Sequence, residues 1–299
     1  MKSKISVIIP CYNVEQYIDK CLESVLLQTF GDIEVIIVND GSTDGNADII
    51  KRYIADKRVK YIEQKNAGVS AARNAGIAAA TAELLTFVDS DDYLEPDMYE
   101  KLYAALVDAD ADVAVCNYNL VYDDRTVRQY SRMYKQVVNV QDDVYGYFAK
   151  FCACPKPNNY IWTRLYRADI IKNSGVRFEH FKLGDDTLFN FKLLPHINTV
   201  AFIPDGLYNY FQRENSNVYT AAGKGNLAAV YADTFQSLAD YYRDNNFSAF
   251  LEVLPIHAFT RLRSVFFYSR LAGLSEDAII ESIRTGFYSR DIARHLTGG

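Results

Sequence analysis

The chain has 299 residues, 49% of them hydrophobic and 23% charged, which supports a packed core and argues against disorder. Lys plus Arg number 32 and Asp plus Glu 38, a net charge of −6. That disfavours a dedicated nucleic-acid binder, which displaces counterions with a basic surface, but it leaves room for a local anion site. Several carboxylates are clustered: Asp89 with Asp91 and Asp92, Asp123 with Asp124, Asp142 with Asp143, and Asp185 with Asp186.

Four short apolar runs rich in β-branched residues, Ile5–Ile9, Ile33–Val38, Val59–Ile62 and Leu84–Val88, show no alternation, as expected of buried parallel strands. Helical patterns lie between them. One has Asn13 as a capping residue with Gln16 reaching back and buries Tyr17, Cys21 and Val25. A second covers about Ala47–Ala55, and an Ala-rich third covers Val69–Ala80. The first ~100 residues therefore read as alternating strands and helices, which implies α/β architecture with a doubly wound parallel sheet.

Further on, a helix is expected over Tyr99–Val107, a strand over Val113–Tyr118, and a strand pair over Val200–Ile203 and Leu207–Phe211. Gly223–Gly225 marks a boundary or loop, and helices follow over Leu227–Tyr242 and much of Ala249–Tyr288. The five cysteines, Cys11, Cys21, Cys116, Cys152 and Cys154, form no Cys-x-x-Cys and read as reduced thiols of a cytoplasm-like compartment. No apolar run approaches the ~18 residues of a spanning helix, and no cleavable signal follows Met1–Lys4. A soluble or peripheral, cytoplasmic protein is expected, with the inner membrane face as an alternative position.

In doubly wound sheets, ligands bind at the carboxyl ends of the strands. The residues just past the four strands are Pro10-Cys11-Tyr12-Asn13, Asn39-Asp40-Gly41-Ser42-Thr43-Asp44, Asn66-Ala67-Gly68 leading to Arg73, and Asp89-Ser90-Asp91-Asp92. These loops should face one edge. Hard divalent cations take oxygen ligands, and magnesium or manganese commonly keeps few protein ligands while binding substrate phosphates. The Asp89-Ser90-Asp91 turn therefore suits a metal bridging Asp91 and a diphosphate.

Taken together and in this order, these segments resemble the family 2 inverting glycosyltransferases of the GT-A fold. The resemblance continues more weakly to about residue 217 through Leu183-Gly184-Asp185-Asp186 and Leu207-Tyr208-Asn209-Tyr210 with Arg213 and Ser216. It implies a GT-A domain over residues 1–222, with a nucleotide-binding half at 1–100 and an acceptor-binding half at 101–222. Residues 226–299 lie outside it as a helical extension. It implies that Asp40 reads the uracil edge and that Pro10, Tyr12, Asn13 and Gly68 line the nucleotide-sugar. Arg73 meets the base or diphosphate, Asp89 meets the ribose or sugar, and Asp91 holds Mn2+ or Mg2+; Arg213 with Ser216 suits a charge-assisted grip on the diphosphate, with a solvated loop charge as the alternative. The family's Gly-Glu-Asp stands here as Gly184-Asp185-Asp186, with Asp186 as general base and Asp185 beside it, one methylene shorter than the family's Glu. Acids at a helix start also suit its macrodipole.

The resemblance further implies a nucleotide-sugar donor, a UDP-sugar first, and a saccharide or lipid-linked saccharide acceptor of cell-surface polysaccharide synthesis. Inversion needs one base and a stabilised leaving group, not the carboxyl pair of a hydrolase. Trp162 is a candidate acceptor-binding ring, with core packing as the alternative. Residues Arg261–Arg270 mix cations and aromatics and suit an anionic membrane surface, a packed helix or a homodimer contact. His180 is near the expected base but has no metal-ligand spacing. The first loop is not Gly-x-Gly-x-x-Gly, and Gly223-Lys224-Gly225 lacks the context of a P-loop. A catalytically silent nucleotide-sugar-binding or scaffold subunit is the non-enzymatic alternative.

Overall fold

A computed structural model of the protein describes residues 3–122, 125–128, 134–152, 158–180, 184–212 and 227–285. The chain forms two compact units. The first comprises Met1–Asn139, Tyr160–His180 and His196–Gln212, and the second Val140–Asn159, Phe181–Pro195 and Arg213–Gly299.

The first unit is built on one sheet. Its strands are β1 (Ile5–Cys11), β2 (Ile33–Asn39), β3 (Val59–Glu63), β4 (Leu84–Phe87), β5 (Tyr93–Leu94), β6 (Val113–Val121), β7 (Thr126–Arg128), β8 (Gln136–Asn139), β9 (Arg164–Arg167) and β10 (Thr199–Phe211). Their order is β3-β2-β1-β4-β9-β6-β10-β5, with β7 against β6 and β8 against β10. Strands β3, β2, β1 and β4 run parallel, β6 and β10 also pair in parallel, and β9 is antiparallel to both β4 and β6. This is the expected mostly parallel α/β sheet. Every residue of β1 and β2 is buried, which explains their unalternating apolar sequences. The order reverses between β1 and β4, which makes the carboxyl ends of those two strands the topological switch point.

Helices α1 (Ile18–Leu26), α2 (Asn46–Lys51), α3 (Val69–Ala79) and α4 (Met98–Asp108) connect the strands. Helix α3 lies close on β1. A Cβ added at Gly76 would meet Ile8 Cγ2 at 2.3 Å, so only glycine allows this approach. Two expectations are corrected. Helix α1 begins at Ile18 and not at Asn13, because Asn13 takes φ 52° and points its amide elsewhere. Residues 199–211 form one strand and not a pair. The turn-like Pro204-Asp205-Gly206 is absorbed as a register irregularity between Phe202 and Tyr208, while pairing with β6 continues on both sides.

In the second unit, α5 (Val144–Tyr147) is capped by Asp143, whose carboxylate accepts from the Gly146 N–H. Short α6 (Ala168–Asn173) belongs to the first unit, and α7 (Asp185–Leu193) to the second. Helices α8 (Leu227–Asp244), α9 (Ser248–Leu271) and α10 (Glu276–Ile283) complete the second unit. Phe191 is central: its ring lies 5.1 Å from Phe148, and its carbonyl accepts from the buried Tyr242 hydroxyl. The C-terminal helices therefore share one core with residues 140–152 and 184–195. Among the described residues no helix is long and apolar enough to cross a membrane.

Candidate active site

The expected loops gather at the switch-point edge of the first unit. The loops after β1 and β2 are laced together: Asn13 N–H donates to Ser42 Oγ, and Asn13 Oδ1 accepts from the Thr43 N–H at 2.8 Å. Glu15 accepts from the Gly45 N–H, while its own N–H donates to Asp44. Pro10 is buried at the end of β1, and Tyr12 just beyond it is 46% exposed, presenting a flat ring at the edge.

Asp40 is 3% exposed and organises the next loop. Its Oδ1 accepts from Gln64 Nε2 at 2.7 Å and the Ala67 N–H at 2.9 Å, and its Oδ2 accepts from the Gly68 N–H at 2.8 Å. Gly68, at φ +89°, starts α3, and a Cβ there would sit 3.4 Å from the His180 ring. The segment 178–180 is docked along α3. Ser70 Oγ donates to the Glu179 carbonyl, and Asn74 exchanges two hydrogen bonds with the Phe178 backbone.

Arg73 sits on the same helix, but its side chain is only 5% exposed. It donates to Asp89 Oδ1 at 2.8 Å and lies over the Phe178 ring. Its observed role is thus to hold Asp89. The guanidinium is inside the protein. Asp89 keeps a side-chain exposure of 28%.

The two other acids of the turn differ sharply. Asp91 is half-buried, whereas Asp92 is 1% exposed. Asp92 accepts from the Tyr208 hydroxyl at 2.7 Å and the Phe211 N–H at 2.8 Å. Burial, reinforced by the neighbouring Asp89 charge, pushes its pKa well above the ordinary carboxylate range, against the lowering effect of those two bonds. Asp92 is therefore a structural acid, and Asp89 and Asp91 are the more accessible carboxylates of the turn. No group of three or more metal-ligating side chains occurs among the described residues. The donor set nevertheless fits a magnesium-like cation, which needs one or two carboxylates and completes its oxygen shell with water and phosphate.

The second unit carries Asp185 and Asp186 in the first turn of α7, after Gly184 in the left-handed conformation at φ +84°. Arg213 lies outside the described residues, as do Ser216, Asp123, Asp124 and Cys154. Asp142 and Asp143 are exposed. Cys11, Cys21, Cys116 and Cys152 are free and buried. Burial pushes the Cys11 thiol up to about 11, so it is unreactive at neutral pH.

Trp162 takes the core-packing alternative. It is 2% exposed and stacked on both faces, by Tyr208 at 4.1 Å and 18° and by Tyr160 at 4.4 Å and 13°. No indole face is left for a sugar, so Trp162 is a core residue. The sequence reading also missed Gln64, Phe178, Asp92 and Tyr208 as supports of the site.

This geometry is that of a GT-A-type α/β domain. A TarS structure from S. aureus, residues 1–349 in complex with UDP-GlcNAc, superposes with a TM-score of 0.61 at 24% identity, covering 99% of this chain and 92% of that one. A mannosyltransferase from Pyrobaculum calidifontis in complex with GDP-Man and Mn2+ gives 0.58 at 16% identity, covering 100% and 84%. These likenesses show the fold. The sequence model described as glycosyl transferase family 2 matches residues 6–189, and the chain belongs to that family.

GlyA of Streptococcus pneumoniae serotype 4, a glycosyltransferase, is 34% identical over 262 residues, 85% of this chain but 37% of GlyA. EpsH of Bacillus subtilis (strain 168) is 35% identical over 213 residues, 69% of this chain and 60% of EpsH. The chain thus spans less than two thirds of these two relatives. GlyG, a glycosyltransferase of the same S. pneumoniae strain as GlyA, is 35% identical over 227 residues, 74% of each chain.

Proposed function

We propose that the chain is an inverting glycosyltransferase that moves a sugar from a UDP-sugar to a hydroxyl of a saccharide or lipid-linked saccharide. The observation that carries this reading is the pair of linked clusters at the switch point: Asp40 with the Gly68 loop, and Arg73 with Asp89. The family supports glycosyl transfer, and the UDP-GlcNAc complex of TarS supports uridine as the nucleotide.

In this reading Asp40 Oδ2 uses its remaining lone pair for the uracil N3–H, and the exposed Tyr12 ring covers the base. Pro10, Asn13 and Gly68 shape the walls. Asp89 takes sugar or ribose hydroxyls, with Arg73 keeping it aimed. Asp91 holds Mn2+ or Mg2+, which when bound supplies charge neutralisation for the departing diphosphate. Asp186 removes the proton from the acceptor hydroxyl as it attacks the anomeric carbon, and the developing diphosphate leaves with the bonding electrons. Asp185 assists through the charge of the same helix turn, and Arg213 grips the diphosphate.

Cell-surface polysaccharide synthesis at the cytoplasmic membrane face is the matching setting. The exposed Arg263, Phe266, Phe267, Arg270 and Leu271 stripe of α9 supports peripheral contact with anionic lipid there. A homodimer through the same stripe is the competing use. Sedimentation with anionic vesicles, with and without Phe266→Ser and Phe267→Ser, tests that contact. The residue roles are tested by transfer assays on Asp91→Ala and Asp186→Asn: undiminished turnover in both would remove them.

A further inference from the structure

We infer that Tyr208 is a positioning residue for the donor diphosphate, acting by fixing the turn Asp89-Ser90-Asp91-Asp92. This rests on the reading of the switch-point edge as a nucleotide-sugar site. Tyr208 is fully buried in β10, far in sequence from the turn. Its hydroxyl makes two bonds to it: it accepts from the Asp89 N–H at 3.1 Å and donates to Asp92 Oδ2 at 2.7 Å. Phe211, three residues along the same strand, donates its N–H to the other Asp92 oxygen at 2.8 Å.

The turn is therefore held at both shoulders. The Val88 N–H is paired to the Ile8 carbonyl on one side, and Leu94 pairs with Tyr208 on the other. Asp91 stands between the two residues that the hydroxyl touches. The hydroxyl has little freedom of its own, because the Tyr208 ring is stacked on Trp162, which is in turn stacked on Tyr160. The aromatic stack that offers no face to a sugar thus has another use: it fixes where the Asp91 carboxylate stands. Errors of about 1 Å in such placement cost on the order of 100-fold in transfer reactions.

Calorimetry of wild type and Tyr208→Phe tests this, with uridine as one probe and UDP plus MnCl2 as the other. The variant keeps the ring stack and removes only the hydroxyl. Uridine uses the Asp40 loop and meets the turn only through its ribose at Asp89, whereas UDP with manganese also needs Asp91. The expected result is about tenfold weaker UDP binding in manganese, a higher manganese midpoint for that binding, and uridine affinity within about twofold of wild type. Equal weakening of both probes, or no change in either, overturns the inference. If Tyr208→Phe does not fold, Asp92→Ala, which removes the acceptor of the same bond, must give the same split. Wild type that binds neither probe overturns the nucleotide-sugar reading and this inference with it. Wild type that binds both, with an unmoved variant, overturns the inference alone.

Discussion

Arg73 and Asp89 form a 2.8 Å ion pair whose guanidinium side is 5% exposed, so helix α3 and the turn after β4 are tied through a nearly desolvated contact. Breaking such a pair from one side costs more than the pair contributes, because the remaining charge keeps its desolvation penalty. Arg73→Ala is expected to lose about 2 kcal/mol in urea unfolding and to weaken UDP binding as Asp89 swings free. Arg73→Lys should rescue little, since an ammonium cannot both reach Asp89 and lie flat on Phe178. Full rescue by lysine would show that charge alone matters.

Asp40 accepts three hydrogen bonds from the loop it anchors. Asp40→Asn keeps the shape but turns one oxygen into a donor that must face either the Gly68 N–H or the Ala67 and Gln64 donors. We expect a loss of about 1–3 kcal/mol in stability and about tenfold or more in uridine affinity. Chemical denaturation and uridine calorimetry check the two separately. Unchanged affinity would mean that the base docks elsewhere.

Asp186→Asn is expected to lower kcat by about 100-fold or more while the donor KM stays within about threefold, the signature of a base that acts in the transition state. UDP binding should not move. Steady-state kinetics in UDP-sugar separates this outcome from a loss of donor binding.

The sequence already revealed the strand ends, because fully buried parallel strands are continuous β-branched runs and their polar sequels cannot be mistaken for core. It hid what supports them. Asp89 and Tyr208 are 119 residues apart, and nothing local to Leu207–Tyr210 points to a turn so distant. Asp92 reads as a third exposed acid because burial is a tertiary property. Trp162 stays open between sugar platform and core because its partners Tyr160 and Tyr208 come from different elements. Asn13 looks like a helix cap because its spacing to Gln16 fits one, yet its amide is taken by Thr43, a long-range competitor. The second unit escaped a linear reading because α7 packs with helices that follow it by some forty residues.

Glu34 gives a prediction about stability rather than catalysis. It is 5% exposed on β2. Its carboxylate accepts from Lys60, Ser6, the Thr81 hydroxyl and N–H, and the Ala82 N–H. Burial alone would raise its pKa, but the bonds from Lys60, Ser6 and Thr81 outweigh it and bring the group from 4.5 to about 2. The folded pKa is depressed, so this stabilisation is fully present above pH 4.5 and is lost as pH falls toward 2. Glu34→Ala should cost about 3 kcal/mol at pH 7, with the gap to wild type narrowing between those two values. Thermal unfolding of both proteins across the acid range checks it. A gap that stays constant with pH would contradict the assignment.

The measurement closest to the central claim is UDP release from a panel of UDP-sugars with manganese, in the presence and absence of a saccharide acceptor panel. The account predicts that at least one pairing releases UDP in step with a glycosylated product, and that Asp91→Ala and Asp186→Asn each suppress it. Tight UDP-sugar binding with no acceptor-dependent release across the panels would contradict it and leave a nucleotide-sugar-binding protein in its place.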